Sequence, residues 1–155
     1  MLKIHDASFP ADLPSIRDLF RAYAASLPID LGYQGFEGEL ASLPGKYAPP
    51  EGALLLARDA NGAALGCVAM RPLEAGVCEM KRLYVAPEGR GLGVGRALAE
   101  AIVAAARAGG YRWMVLDTLA SMREARTLYA SLGFEETGAY YETPIPDTVF
   151  LRLQM

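Results

Sequence analysis

The chain has one histidine, two cysteines and one tryptophan in 155 residues, and these scarcities exclude several kinds of chemistry. A lone His5 near the N-terminus cannot build a histidine metal centre, and it reads as a structural residue. Cys67 and Cys78 lack metal-ligand spacing and fall in predicted strands, so they read as buried free thiols. No apolar run approaches the roughly 20 residues of a membrane span, and Met1-Leu2-Lys3-Ile4-His5-Asp6 has no signal-peptide core. The expectation is a cytoplasmic protein. Neither sign of charge dominates: 15 basic and 18 acidic residues leave a net charge of −3, which argues against nucleic acid as a partner. Internal repeats and low-complexity tracts are absent. Two nucleotide signatures are missing as well. No glycine stands at the P-loop offset from a Gly-Lys pair. A Gly-x-Gly-x-x-Gly fingerprint fails because Val94, Arg96 and Leu98 occupy the places where its last glycine would fall after Gly89, Gly91 or Gly93.

What is abundant is apolar residues, 52% of the chain, enough for a single domain over residues 1–155 with a sizeable core. The chain is organised around Cys78 to Leu98. This stretch reads as an extended run ending Leu83-Tyr84-Val85, a turn rich in glycine carrying Arg90 and Arg96, and a helix with Val94, Leu98, Ile102 and Ala105 at helical spacing. Strand, glycine turn and helix N-terminus are the parts of an anion site. Glycines admit a phosphate close to the backbone, successive N–H groups point at it, and the positive helix end favours its charge. Gly89, Gly91, Gly93 and Gly95 are more than a tight turn alone requires.

The remaining elements follow in order. Leu2 to Asp6 suits a short strand. Asp12 is placed to cap a helix bearing Leu13, Ile16, Phe20, Tyr23 and Leu27 on one face. Prolines and glycines break Pro28 to Gly52 into irregular chain around a short helix over Phe36–Leu43, a pattern typical of binding loops. Ala53–Arg58 and Ala63–Pro72 flank Asn61-Gly62, a hairpin signal, and Val77–Val85 makes a third antiparallel strand. The helix after the glycine turn ends at Gly109-Gly110 and leads to a strand over Arg112–Thr118, so that these two strands run parallel through a crossover. Ser121-Met122-Arg123-Glu124 has the form of a capping box, and Gly133 the form of a helix stop. Phe134–Tyr141 and Asp147–Leu153 read as two closing strands.

Arg90-Gly91-Leu92-Gly93-Val94-Gly95 resembles the Arg/Gln-x-x-Gly-x-Gly/Ala loop of the GNAT superfamily of N-acetyltransferases. Leu128-Tyr129-Ala130-Ser131-Leu132-Gly133-Phe134 is similar to that family's Leu-Tyr-x-x-x-Gly-Phe signature, and the element order matches along nearly the whole chain. The resemblance implies an α/β fold with a mixed, mostly antiparallel central sheet flanked by helices and opened between Val85 and Arg112. It implies transfer of an acetyl group from acetyl-coenzyme A to a primary amine of a small molecule or peptide, by direct attack in a ternary complex. A non-catalytic acyl-coenzyme A sensor or assembly module is the alternative. Both a monomer and a homodimer suit the sequence.

By the same resemblance, Arg90, Gly91, Leu92, Gly93, Val94, Gly95 and Arg96 hold the pyrophosphate, and Leu83, Tyr84 and Val85 hold pantetheine and polarise the thioester. The family's asparagine seven residues before the tyrosine is Met122 here, which leaves Ser121 as the candidate for that contact. Tyr129 either packs in the core or protonates the departing thiolate. Glu79 either pairs with Lys81 along the strand or serves as general base through water, since a protonated amine cannot attack a thioester. Lys81 and Arg82 belong either to a solvated strand face or to an acceptor site for an anionic group. Tyr140 and Tyr141 are further acceptor-site candidates, with Glu142 beside them.

Overall fold

In a computed structural model describing residues 1–155, seven strands build one sheet. They are β1 (Lys3–Asp6), β2 (Ala53–Arg58), β3 (Ala64–Glu74), β4 (Val77–Val85), β5 (Trp113–Leu119), β6 (Glu135–Thr137) and β7 (Thr148–Gln154). Their spatial order is β1-β2-β3-β4-β5-β7-β6, with β4 and β5 parallel and every other neighbouring pair antiparallel. Helices α1 (Leu13–Ser26), α2 (Phe36–Ser42), α3 (Val94–Ala108) and α4 (Arg123–Ser131) flank the sheet, as the α/β reading expects. None of them is long and apolar enough to cross a membrane.

Strand alternation sorts the sheet into two cores. Val68, Met70 and Met80 join one cluster with α3 and α4, while Leu54, Leu56, Cys67 and Ala69 join the other with α1 and α2. Of the α3 stripe, Val94, Leu98 and Ile102 are fully inside and Ala105 is partly buried, Leu98 and Ile102 each contributing roughly 1.5–3 kcal/mol by burial. Gly66 lets that helix come down onto the strands, because a Cβ there would lie 2.6 Å from Tyr84 O and 3.1 Å from Leu98 Cδ1. Both cysteines are buried free thiols.

The strand pair β4–β5 is the feature that makes a site. Its register runs Val77↔Trp113, Cys78↔Met114, Glu79↔Val115 and stops there. Beyond Glu79 the two strands separate. On its other edge, β4 carries an extra residue against β3, where Cys67 pairs Tyr84 but Ala69 already pairs Lys81. That bulge puts Arg82 at φ 61°, the single non-glycine residue with positive φ, a conformation costing roughly 1–3 kcal/mol.

Several local expectations change. Asp12 precedes α1 without a side-chain cap; its carboxylate accepts from the Ser8 N–H at 2.8 Å and from Arg58 at 2.8 Å. The capping box does not form, since α4 starts one residue later with Met122 at the N-cap and no side-chain capping bond. The strand expected over Phe134–Tyr141 shortens to β6, because Tyr140 and Tyr141 leave the sheet edge to hydrogen bond acids on β4 and β5.

Candidate active site

The glycine turn has its donors free. In α3 the first N–H to find a carbonyl is that of Ala97, to Gly93 O at 3.1 Å, and no side chain caps the helix. The N–H groups of Gly91, Gly93, Val94, Gly95 and Arg96 accordingly have no protein acceptor. Gly91 (φ 80°) and Gly93 (φ 74°) hold the left-handed conformation that turns these groups the same way, and a Cβ on either would point into open space. A row of unpaired N–H groups at a helix N-terminus is a fit for a phosphate.

From this row a cleft of about 810 Å³ runs through the gap between β4 and β5. Leu83, Tyr84, Val85, Arg90, Gly91, Gly93, Val94, Gly95, Ser121 and Tyr129 all line it, as do Met122, Lys81 and Arg82. Leu92 and Arg96 do not. The Leu92 side chain is exposed, and Arg96 donates to Ser131 Oγ at 2.7 Å on the outer surface.

Tyr129 is placed by its own signature. The chain turns back at Gly133 (φ 100°), the Phe134 N–H returns to Tyr129 O at 3.0 Å, and the two rings meet edge to face at 5.7 Å. Tyr47 Oη is the one enclosed side-chain polar atom without a partner; the Tyr129 hydroxyl, bonded to no protein group, opens into the cleft. Burial, reinforced by Tyr23 and Asp117, pushes that hydroxyl above the usual tyrosine range. It stays protonated at neutral pH.

At the far end the sheet presents ions where apolar residues are the norm. Glu79 is 1% exposed, Arg82 4% and Lys81 7%. Glu79 pairs with Arg71, directly opposite on β3, at 2.8 Å rather than with Lys81, and its second oxygen accepts from the Tyr140 hydroxyl at 2.5 Å. Glu79 is thus spanned by two donors and is not among the residues lining the cleft. Arg82 donates twice to Glu39 on α2, at 2.8 and 2.9 Å, and once to Gln34 Oε1 at 3.0 Å, with Phe36 and Tyr23 rings against its plane. Lys81 Nζ donates to the same Gln34 oxygen at 3.1 Å. Burial pushes the Lys81 ammonium below the usual lysine range, although Glu79 and Asp117 oppose this.

Asp117 is the residue the sequence reading passed over. It sits in β5 just past the last β4 pairing, lines the cleft, and accepts a hydrogen bond from the Tyr141 hydroxyl. Tyr140 and Tyr141 stack edge to face on each other and on Phe150, the residue paired with Asp117 on β7. Gln34 was also missed, since it lies in a single 3₁₀ turn (Leu31–Gln34) of the broken segment. An acid in the middle of a β5 strand was the available signal for Asp117; nothing local marked Gln34.

Residues 50–136 match the family model described as an acetyltransferase (GNAT) domain. An uncharacterised N-acetyltransferase of Schizosaccharomyces pombe is 45% identical over 99% of this chain and 95% of its own length. Among solved structures, a GNAT-family acetyltransferase of Staphylococcus aureus superposes with a TM-score of 0.82 at 17% identity, covering 99% of each chain. A phosphinothricin acetyltransferase of Sinorhizobium meliloti, crystallised with acetyl-coenzyme A, gives 0.74 at 23% identity over 99% of this chain and 88% of that one. By the family model and by the Schizosaccharomyces pombe relative, the chain is a member of the GNAT acetyltransferases.

Proposed function

We propose that the chain moves an acetyl group from acetyl-coenzyme A to a primary amine of a small molecule or peptide, by direct attack with both substrates bound. The observation that supports this is the continuity of one cleft, from unused backbone donors at Gly91 and Gly93–Arg96, through the β4–β5 gap, to ionisable side chains on the same strands. Each part suits one piece of the reaction. The free N–H groups suit a pyrophosphate, with Arg90 beside them. The unpaired edge at Leu83, Tyr84 and Val85 suits the amides of a pantetheine arm, and Ser121 and Met122 face it from the other strand's loop.

Acetyl-coenzyme A supplies the activated thioester. Attack by a neutral amine forms the new C–N bond, and collapse breaks the C–S bond and releases a thiolate. Tyr129 suits the donor that protonates this thiolate, since its hydroxyl keeps its proton at neutral pH and opens to the cleft. The amine must also lose a proton. Asp117 lines the cleft and suits the group that orients the ammonium, while Glu79, held by Arg71 and Tyr140 and outside the lining, would act only through water or the Tyr140 hydroxyl. Arg82, whose guanidinium is occupied by Glu39, acts as a positioning residue that ties α2 to β4.

Thiol release from acetyl-coenzyme A with a panel of primary amines tests the proposal, alongside calorimetric binding of coenzyme A. Amine-dependent release with a matching N-acetyl product is the expected outcome. Tight binding with no turnover across the panel would instead make the chain a sensing or assembly module.

A further inference from the structure

The four salt bridges of the molecule join Arg58 to Asp12, Arg71 to Glu79, Arg82 to Glu39 and Arg126 to Glu136. Lys81 and Asp117 are in none of them, although both line the same cleft. Lys81 is buried, and its ammonium has three N–H donors with one taken by a neutral amide oxygen that Arg82 also uses. The carboxylates nearest to it along the strand and across to α2 are already occupied, Glu79 by Arg71 and Tyr140, Glu39 by Arg82. Asp117 has a neutral phenol as its partner and no cation. A buried cation left without a counterion is costly unless something else brings the opposite charge.

A cation and an anion that line one cleft, neither in a salt bridge, are the complement of a small molecule carrying both charges. We infer that the acceptor is a zwitterion, a compact amino carboxylate such as an amino acid, whose ammonium is held by Asp117 and whose carboxylate is held by Lys81. Gln34 steadies the Lys81 ammonium in this arrangement, and its own amide is held in turn by donation to the Tyr33 hydroxyl at 2.9 Å. A purely cationic acceptor such as a diamine leaves Lys81 facing a like charge. The inference rests on the acetyl-transfer reading and adds the substrate class to it.

The test uses matched acceptors that differ by the carboxylate: serine against ethanolamine, phenylalanine against phenethylamine, arginine against agmatine, and each amino acid against its carboxamide. The expected result is a kcat/KM at least about tenfold higher for the carboxylate member of a pair, the size of one hydrogen bond between charged groups. That gap closes in Lys81→Met, whereas Asp117→Asn raises KM for both members alike. Preference for the decarboxylated or amide member in every pair, or an unchanged gap in folded Lys81→Met, overturns the inference and leaves acetyl transfer standing. Calorimetry with the same pairs on protein saturated with coenzyme A reads the preference without turnover. Carboxylate-selective binding with no turnover upholds the inference and removes the catalytic reading; binding by no member overturns the inference.

Discussion

The two ends of the cleft are built on opposite plans. At the α3 end, the contacts offered are backbone N–H groups from neighbouring residues, Gly91 and Gly93 to Arg96, and the two left-handed glycines bring no side chain among them. At the β4–β5 end they are side chains drawn from far apart: Gln34 and Glu39 from the irregular segment, Lys81 and Arg82 from β4, Asp117 from β5, Tyr141 from the loop before β7. The first plan suits a group such as a phosphate, which backbone N–H groups at a helix N-terminus can hold without any particular side chain. The order of the second depends on side-chain partners that must be present together.

The sharpest way to break the second plan is Glu39→Ala, which strands the buried Arg82 guanidinium beneath α2. Losing one partner of a buried pair costs about 3–5 kcal/mol, read as a drop in the urea midpoint. Burial pushes the Glu39 carboxyl up, but the Arg82 hydrogen bonds and charge outweigh this and hold it below the usual range. A carboxyl lowered in the folded state gives stability that is complete above its unfolded value near 4.5 and lost as the pH falls through the folded one. Wild type should therefore lose this contribution in acid, and Glu39→Gln should flatten that part of the profile. Equal acid sensitivity in both would remove the pair from any role in holding the acceptor end.

Next in size is Tyr129→Phe, which leaves both ends of the cleft intact and removes one hydroxyl between them. The expected loss is about 10²-fold or more in kcat with coenzyme A affinity and stability held, the usual scale for general acid help. The deficit should shrink with a donor whose thiol is a better leaving group. Near-full kcat under conditions where chemistry is limiting would return Tyr129 to a packing role against Phe134.

Gly93→Val attacks the first plan. A branched side chain resists the left-handed conformation, at a cost of roughly 1–3 kcal/mol, and turns the N–H row out of line. Coenzyme A affinity should fall about 10- to 100-fold while circular dichroism stays native, because the position bears on no core contact. A folded variant with unchanged affinity would separate the loop from the cofactor.

These two plans also explain what was legible in the sequence. A backbone site is written in consecutive residues, so the anion loop at Arg90–Gly95 and the parallel strands around it could be read from spacing, whereas Tyr129 stood out only through the resemblance to the GNAT signature over Leu128–Phe134. Glu79 was legible as an improbable mid-strand acid, but its partner was not. Lys81 is two residues away in sequence, whereas Arg71 is opposite only once β3 and β4 pair. Tyr140 and Tyr141 alternate as a strand would, and nothing local showed that Glu79 and Asp117 would draw them off the sheet edge. The capping box at Ser121 does not form. Thr118 and Met122 contact each other at 3.7 Å across the turn, and the helix begins after Met122.

A smaller effect than these is expected from Glu79→Gln, because Glu79 acts at one remove. The variant keeps the shape and one acceptor for Arg71 or Tyr140. Its rate deficit should be greatest at low pH, where the amine needs most help in losing its proton, and fade as the amine deprotonates unaided. A pH profile parallel to that of wild type would make Glu79 a positioning residue for Arg71 and Tyr140, and shift the proton to Asp117.

The smallest expected effect tests whether the cofactor end is as purely backbone as it looks. Met122 stands where the family resemblance calls for an asparagine, and it lines the cleft at the N-cap of α4 with a weak contact from Thr118 Oγ1 to its sulfur. Met122→Asn places an amide where a pantetheine amide would pass, and adds a side chain better suited to the N-cap than methionine. One neutral hydrogen bond is worth about 1 kcal/mol net, so coenzyme A should bind roughly fivefold more tightly, with a modest gain in stability from the cap. If the cap gain appears without the affinity gain, the pantetheine contact is already made by the β4 edge or by Ser121, and the asparagine is redundant on this scaffold. Removing Ser121 separates those two, since Ser121→Ala weakens binding only where the serine carries the contact.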